Sequence, residues 1–471
     1  MLSAPLILVT FLICWLFALG ADERLVLTPI ACLVAILAFM IEQFWRRDRQ
    51  LPVVDLGVLC VLITSVYIAV PSVFFVKSGF AWSDLSDSRL VQMRSTPEDV
   101  ATVSWWVVAY LAALCSIYYW IRGAGMPGPA IAIKASNSEG LAILLIFVGC
   151  AIYQFVVERY FDVDLNPSNE ALIATYGVQQ LPLFLAQITN NVLGIERIAK
   201  LALIVFAISR KNWNFAALLV LWLCFEFYSA LSVQGARTYF IVLVLAVILT
   251  THRAIRPIGP IMGCFVATSI PAVLLTWGYF RDGTSADVWS AINEFQVLLA
   301  NALHVSWAYD RGIIEDVPWA LTLSDFFMLI PQQLLPFTKI DPSNWYIDQI
   351  GASDQGVGLM FGVVAQAKLG FGIIEIVARG GVLGLVLALI HRQCVKNASS
   401  LTAFIIYVWL CTSVYYTYRA TTFYIATWAL YRVLPFVVLF WLLRRFVGVV
   451  QGSGSQNRDT GNSTRSITPS A

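Results

Sequence analysis

Apolar residues in this chain do not alternate with polar ones. They run together in blocks of about twenty, separated by short polar connections. A block of that length matches a bilayer's hydrocarbon thickness crossed by an α-helix, and in lipid a helix satisfies its own backbone polar groups. Read this way, the sequence predicts about twelve spans. They fall at 4–21, 25–45, 56–76, 103–121, 141–157, 193–209, 215–233, 238–251, 258–280, 371–390, 401–418 and 425–443. The sixth is the most polar, because Glu196, Arg197 and Lys200 occupy its first half. No basic residue precedes Pro5, so the first block reads as an uncleaved span rather than a signal peptide.

The expected fold class is therefore all-α, a polytopic membrane protein with a large late outer loop containing short amphipathic helices. The expected divisions are nine spans in 1–280, the loop at 281–370, three spans in 371–449, and a tail at 450–471. That tail is rich in Gly, Ser, Thr and Asn and is expected to be disordered.

Inside the late loop the pattern changes. From Asp287 to Trp307, at 100° per residue, Val288, Ile292, Phe295, Leu299 and Leu303 line one side. Asp287, Ser290, Asn293, Glu294, Asn301 and His304 gather on the other. This predicts an amphipathic helix lying at the outer membrane interface. Two further apolar stretches, 321–330 and 357–369, are too short to span.

Composition agrees: 59% of residues are hydrophobic, only 12% are charged, and the mean hydropathy is +0.76, which excludes an ordinary soluble domain. Basic residues give the orientation. Arg46, Arg47, Arg49, Arg122, Lys134, Arg210, Lys211, Arg253, Arg256, Arg392, Lys396, Arg444 and Arg445 all fall on alternate connections. That places those connections and both termini in the cytoplasm. Nine cysteines, eight of them inside apolar blocks, read as small polarizable packing residues.

The chemistry-bearing residues are few. No Gly-rich phosphate loop, dinucleotide fingerprint or paired His and Cys at zinc-ligand spacing is present, so neither cofactor nor metal is expected. Of three histidines, His252 and His391 fall at the cytoplasmic boundary and His304 alone in the outer loop. His304 is poised to accept a proton from a hydroxyl, or is simply solvated on a polar helix face. Glu294, Glu315, Asp316 and Asp354 are alternative bases. Arg237, Arg281, Arg379, Arg419 and Arg432 fall at outer helix ends or within spans, where a guanidinium is costly. Each either snorkels, pairs locally (Arg379 with Glu375 at i, i+4), or joins a cluster that binds phosphate through its planar fork. The late glycines, among them Gly380, Gly381 and Gly384, read as close helix packing.

These features together resemble the Wzy-type polymerases of bacterial O-antigen and exopolysaccharide repeat units. The resemblance is carried by the span number and by Gly235-Ala236-Arg237 at a helix mouth. It continues through the Pro-x-x-Leu-x-Pro-x-x-Lys-like run from Pro331 to Lys339 and the small residues from Gly358 to Phe371-Gly372. Gly380-Gly381-Val382-Leu383-Gly384 completes it. Relatives often carry Arg after the first proline of the loop run, where this chain has Gln332. The resemblance implies a metal-independent glycosyltransferase of the bacterial inner membrane. Its substrates would be undecaprenyl-pyrophosphate-linked oligosaccharides, its base His304, and its pyrophosphate ligands Arg237, Arg281, Arg379 and Arg419. It implies contact with membrane lipids and a polysaccharide chain-length regulator, and no nucleic acid. An O-antigen ligase using the same donor is the alternative in chemistry, and a flippase or transporter the alternative in class.

Overall fold

A computed structural model of the chain describes residues 4–47, 55–79, 96–123, 132–163, 165, 181–229, 236–256, 258, 288–314, 317–330, 332–349, 362–414, 416–419, 421–422 and 424–459. Among the described residues the regular structure is helical. The first eight helices are α1 (Ala4–Phe17), α2 (Ala21–Arg47), α3 (Leu56–Lys77), α4 (Pro97–Ile121), α5 (Asn137–Phe161), α6 (Leu183–Ser209), α7 (Trp213–Ser229) and α8 (Ala236–Ala254). The late segment holds α9 (Val288–Asp310), α10 (Trp319–Phe326), α11 (Pro342–Gln349) and α12 (Gly362–Leu369). Then come α13 (Ile373–Lys396), α14 (Leu401–Ser413), α15 (Tyr416–Arg419), α16 (Tyr424–Trp428) and α17 (Leu434–Asp459), the last two joined by a π-helical turn, Ala429–Val433.

Among the described residues six helices are long and apolar enough to cross a bilayer: Ala21–Glu42, Leu56–Lys77, Pro97–Ile121, Asn137–Phe161, Ile373–Lys396 and Tyr424–Val449. Four expected spans appear as shorter apolar helices, Ile7–Phe17, Trp213–Trp222, Val244–Ala254 and Leu401–Ser413. The polar sixth block lies within α6, and the expected span 258–280 falls outside the described residues apart from 258. By length and composition of its helices this is a multi-pass membrane protein.

Local sequence sets where several of these helices start. Thr96 accepts from the Asp99 amide while Asp99 accepts from the Thr96 amide, and Ser136 and Glu139 repeat the exchange at α5. Each capping box satisfies two orphan amides of a helix start, where no preceding turn can do so. Asp55 caps α3 through the amides of Gly57 and Val58.

The chain forms two compact units, each assembled from three separate stretches. The first comprises Met1–Ile131, Thr251–Ala398 and Ile406–Thr427. Its axis is the α4–α13 pair. A Cβ at Gly380 would fall on the Tyr110 carbonyl, and one at Gly384 on the Leu114 carbonyl, so the two backbones touch where only glycine fits. At one end of this pair Asp55 is buried and accepts from the Tyr119 hydroxyl at 2.9 Å, the Tyr118 hydroxyl at 3.2 Å and the Arg122 guanidinium. Tyr118 also meets the fully buried His391 at 3.2 Å.

The second unit comprises Ala132–Thr250, Ser399–Ile405 and Trp428–Ala471. Here α5 packs with α6 and α17. Two charges of the sixth block meet within it: Glu196 pairs with Lys200 at 3.0 Å and accepts from the Gln154 amide. The Lys200 ammonium also stands 4.9 Å over the Trp222 ring. The π-helical turn aims Arg432 at α6, where it donates to Asn190 at 2.9 Å and lies so close to Gly194 that no Cβ fits there. The α17 helix runs on to Asp459, so the range expected as a disordered tail begins inside a helix; 460–471 lie outside the described residues.

The late segment departs from its sequence pattern. The amphipathic helix exists as α9, and its middle turns are covered on more than the apolar side. Leu298, Leu299, Ala300, Asn301, Ala302, Leu303 and Val305 are all buried, because α3, α4 and α12 pack against it. Periodicity located one apolar face; on the polar side Asn301 is buried as well and His304 half-buried.

Candidate functional site

Two polar constellations lie on the late helices, within the first unit. The first is built on α9. His304 is half-buried, and its Nδ1 meets the hydroxyl of the buried Tyr346 of α11 in a short contact. Asp341 starts α11 by accepting from the Asn344 amide at 2.9 Å, which fixes the turn that presents Tyr346. The Trp307 ring stacks on the imidazole at 5.7 Å between centroids, and the Arg311 guanidinium stands 4.9 Å over Trp307. The buried indole N–H of Trp307 has no hydrogen-bond partner among the described residues.

Burial pushes the His304 pKa below its ordinary 6.5 and the Tyr346 pKa above its ordinary 10.0. Both groups are therefore neutral at pH 7. Two tautomers satisfy the pair. Only the one in which Nδ1–H donates to the Tyr346 oxygen leaves Nε2 as an acceptor, the arrangement a general base requires.

The second constellation surrounds Arg379 of α13, which is fully buried. Its Nε donates to Glu375 at 2.7 Å, and its Nη1 to Asp325 of α10 and to Thr422 at 3.2 Å. Phe326 lies under the guanidinium at 5.0 Å. The other oxygen of Glu375 accepts from the Phe371 amide at 2.8 Å and sits where a Cβ of Gly370 would be. Gly372, at φ +65°, turns the chain into α13 in a conformation that side chains disfavour. One guanidinium thus faces two carboxylates, and Oδ1 of Asp325 is buried with no hydrogen-bond partner among the described residues. The local ion pair with Glu375 is present, and the cross-helix partner Asp325 is added to it.

One apolar cluster joins the helices of the two constellations. Val305 and Ala308 of α9, Leu321 of α10, Tyr346 and Ile347 of α11, and Ala365 and Leu369 of α12 pack together. Within α12 the side chain of Gln366 is 1% exposed, and neither end of its amide has a hydrogen-bond partner among the described residues. Native proteins leave few buried polar groups orphaned, and each normally answers to a water or a ligand. Trp307, Asp325 and Gln366 are three such groups on helices that share one core.

The run from Gln332 to Lys339 forms a clasp behind α10. The Gln332 amide donates to the Phe337 carbonyl at 2.7 Å and accepts from the Lys339 amide at 2.7 Å. The Lys339 ammonium then caps the carbonyls of Met328, at 3.0 Å, and Ile330. The lysine of the motif holds backbone rather than reaching for a ligand, and Gln332 is the brace of the turn.

The other expected site residues divide in two groups. Arg237 lies in the first turn of α8, Arg419 ends α15 and Glu294 lies on α9, with side chains outside the described set. Arg281, Glu315, Asp316 and Asp354 lie wholly outside it. Tyr346, Trp307, Asp325 and Gln366 were not singled out by sequence. For Asp325 the signal was a lone acid inside the apolar stretch 321–330.

No protein-family model, no curated protein and no solved structure matches the chain.

Proposed function

We propose that the protein is a glycosyltransferase that polymerises undecaprenyl-pyrophosphate-linked oligosaccharide repeat units on the periplasmic face of the bacterial plasma membrane. The observation that carries this reading is the neutral, Tyr346-oriented His304 beside the partnerless indole N–H of Trp307, on a helix of the late segment. An imidazole with a free Nε2 takes a proton from an alcohol, and an indole N–H donates to a sugar oxygen.

In the reaction, the hydroxyl of the acceptor sugar attacks the anomeric carbon of the donor. The new glycosidic C–O bond forms, and the bond from that carbon to the pyrophosphate oxygen breaks. The acceptor proton passes to His304, and the electron pair leaves with undecaprenyl pyrophosphate. Arg237, Arg281 and Arg419 are the cations assigned to the leaving group, since charge developing there needs a preorganised positive partner. Arg379 is left out of that set: its fork is taken up by Asp325 and Glu375, so it anchors α10 against α13.

The test is complementation of a deletion strain with His304→Gln, with membrane abundance measured beside the glycan ladder. Polymerisation predicts short or absent ladders with lipid-linked single repeat units accumulating. Normal ladders reject His304 as the base. Full-length polymer left on its lipid carrier and absent from lipid A-core selects the ligase instead, and repeat units retained on the cytoplasmic face select a flippase.

A further inference from the structure

In the second unit, helix ends meet around an open cavity of about 660 Å³ that no part of the proposed reaction uses. It lies at the start of α5, the end of α6, the start of α14 and beside Arg444 of α17. Four cations line it: Lys134, Arg210, Lys211 and Arg444. Its one carboxylate is already committed. Glu139 pairs with Arg444 at 3.1 Å and accepts from the Ser136 amide at 2.8 Å. Among the described residues no carboxylate lies within ion-pair reach of Lys134, Arg210 or Lys211, so the cavity carries an uncompensated positive charge.

The backbone holds these cations in place. Lys134 is fixed by its amide donating to the Ser399 carbonyl at 2.8 Å, a bridge between otherwise separate stretches. Arg210 is oriented through the Ala135 carbonyl at 3.2 Å and the Asn137 side chain at 3.1 Å. Lys211 adopts φ +56°, just past the end of α6. The Asn212 amide closes on the Ala207 carbonyl at 2.9 Å, a helix stop whose left-handed position usually falls to glycine. A lysine kept in that strained conformation points to a use for its charge. Ser209 adds a buried hydroxyl with no hydrogen-bond partner among the described residues. The lining contains no aromatic residue to stack a base, and it lies at the first turn of α5, a helix long and apolar enough to cross a bilayer.

We propose that this cavity binds a phosphate group, carried either by an anionic lipid headgroup or by a soluble phosphate ester. The full chain, purified in dodecyl maltoside, is titrated with dioctanoyl phosphatidylglycerol and, at matched ionic strength, with sodium phosphate. At least one binds, and Lys134→Gln or Lys211→Gly each weakens it about fivefold. Lys211→Gly melts no lower than wild type, because glycine takes the left-handed turn without strain, so lost binding there is not lost fold. Arg445→Gln, which lies outside the lining, leaves binding unchanged. Binding of phosphatidylglycerol alone assigns a lipid headgroup, and binding of phosphate alone a soluble ester. Overturning results are binding of neither, or equal affinity in wild type and Lys211→Gly.

Discussion

His304 was visible in the sequence as a histidine on the polar side of a helical repeat, but its partner was not. Tyr346 lies 42 residues away, and no periodicity connects them. Their contact gives a measurable pH behaviour. Because burial lowers the folded pKa of His304, the unfolded chain takes up the proton first as pH falls. This residue's contribution to stability is complete above about 6.5 and is lost as pH drops from there toward the lowered folded value. Polymerisation in membranes should show an acid limb lying below pH 6.5, because the base is active only while neutral. His304→Gln should lower the rate by about 10²-fold or more and abolish that limb. Tyr346→Phe, which keeps the ring and loses the oxygen, should cost less than His304→Gln. A second prediction concerns Arg379. Arg379→Ala leaves two buried carboxylates facing each other and should destabilise by about 3–5 kcal/mol. Asp325→Asn, which removes the excess negative charge, should cost clearly less. Melting temperatures in detergent separate the two, and equal losses would show that charge balance is not what holds the cluster.

Among the helices, hydropathy marked the apolar middles and missed the starts. The spans expected from 103 and 141 begin at Pro97 and Asn137, where the local Thr96–Asp99 and Ser136–Glu139 exchanges set the first turn ahead of the apolar block. Faces were harder to read. One stripe on α9 predicted a surface helix, yet its Asn301 is 2% exposed, because burial depends on neighbours remote in sequence. The glycines of α13 lie between these cases: their small size predicted close packing, and Gly380 and Gly384 do meet the α4 backbone. Gly381, one residue away, has only an ordinary contact with Ile117 at 3.8 Å. Gly384→Val should therefore destabilise by about 1–3 kcal/mol, while Gly381→Ala should be nearly silent. Thermal unfolding of the two variants in one detergent checks this, and matching effects would deny a directional crossing. Of the loop run, the sequence showed only that Gln332 departs from the motif it resembles. The fold makes it a brace whose amide both donates and accepts, and Gln332→Ala should loosen protease resistance near Lys339.

For the molecule as a whole, hydropathy located the six helices of spanning length found among the described residues, out of twelve spans expected. It could not show that each compact unit draws on three separated stretches. The alternating basic connections predict both termini in the cytoplasm and the late segment outside. Reporter fusions after Ala471 and at Ser353 should read opposite compartments, and agreement between them would reject that topology. Because both units use chain from either side of 258–288, a gene split there should yield halves that accumulate only when co-expressed.

The π-helical turn at Ala429–Val433 amounts to one surplus residue inside an otherwise regular helix. One residue is about 100° of rotation, so everything after Val433 is dialled around by that angle relative to Tyr424–Trp428. Excising the half-exposed Leu430 would let an unbroken α-helix close across the gap. A gene shorter by one codon would then specify an intact helix with its far half facing the wrong way, its Arg444 swung off Glu139. At this turn the angle is set by residue count, which no substitution changes and a single deletion does.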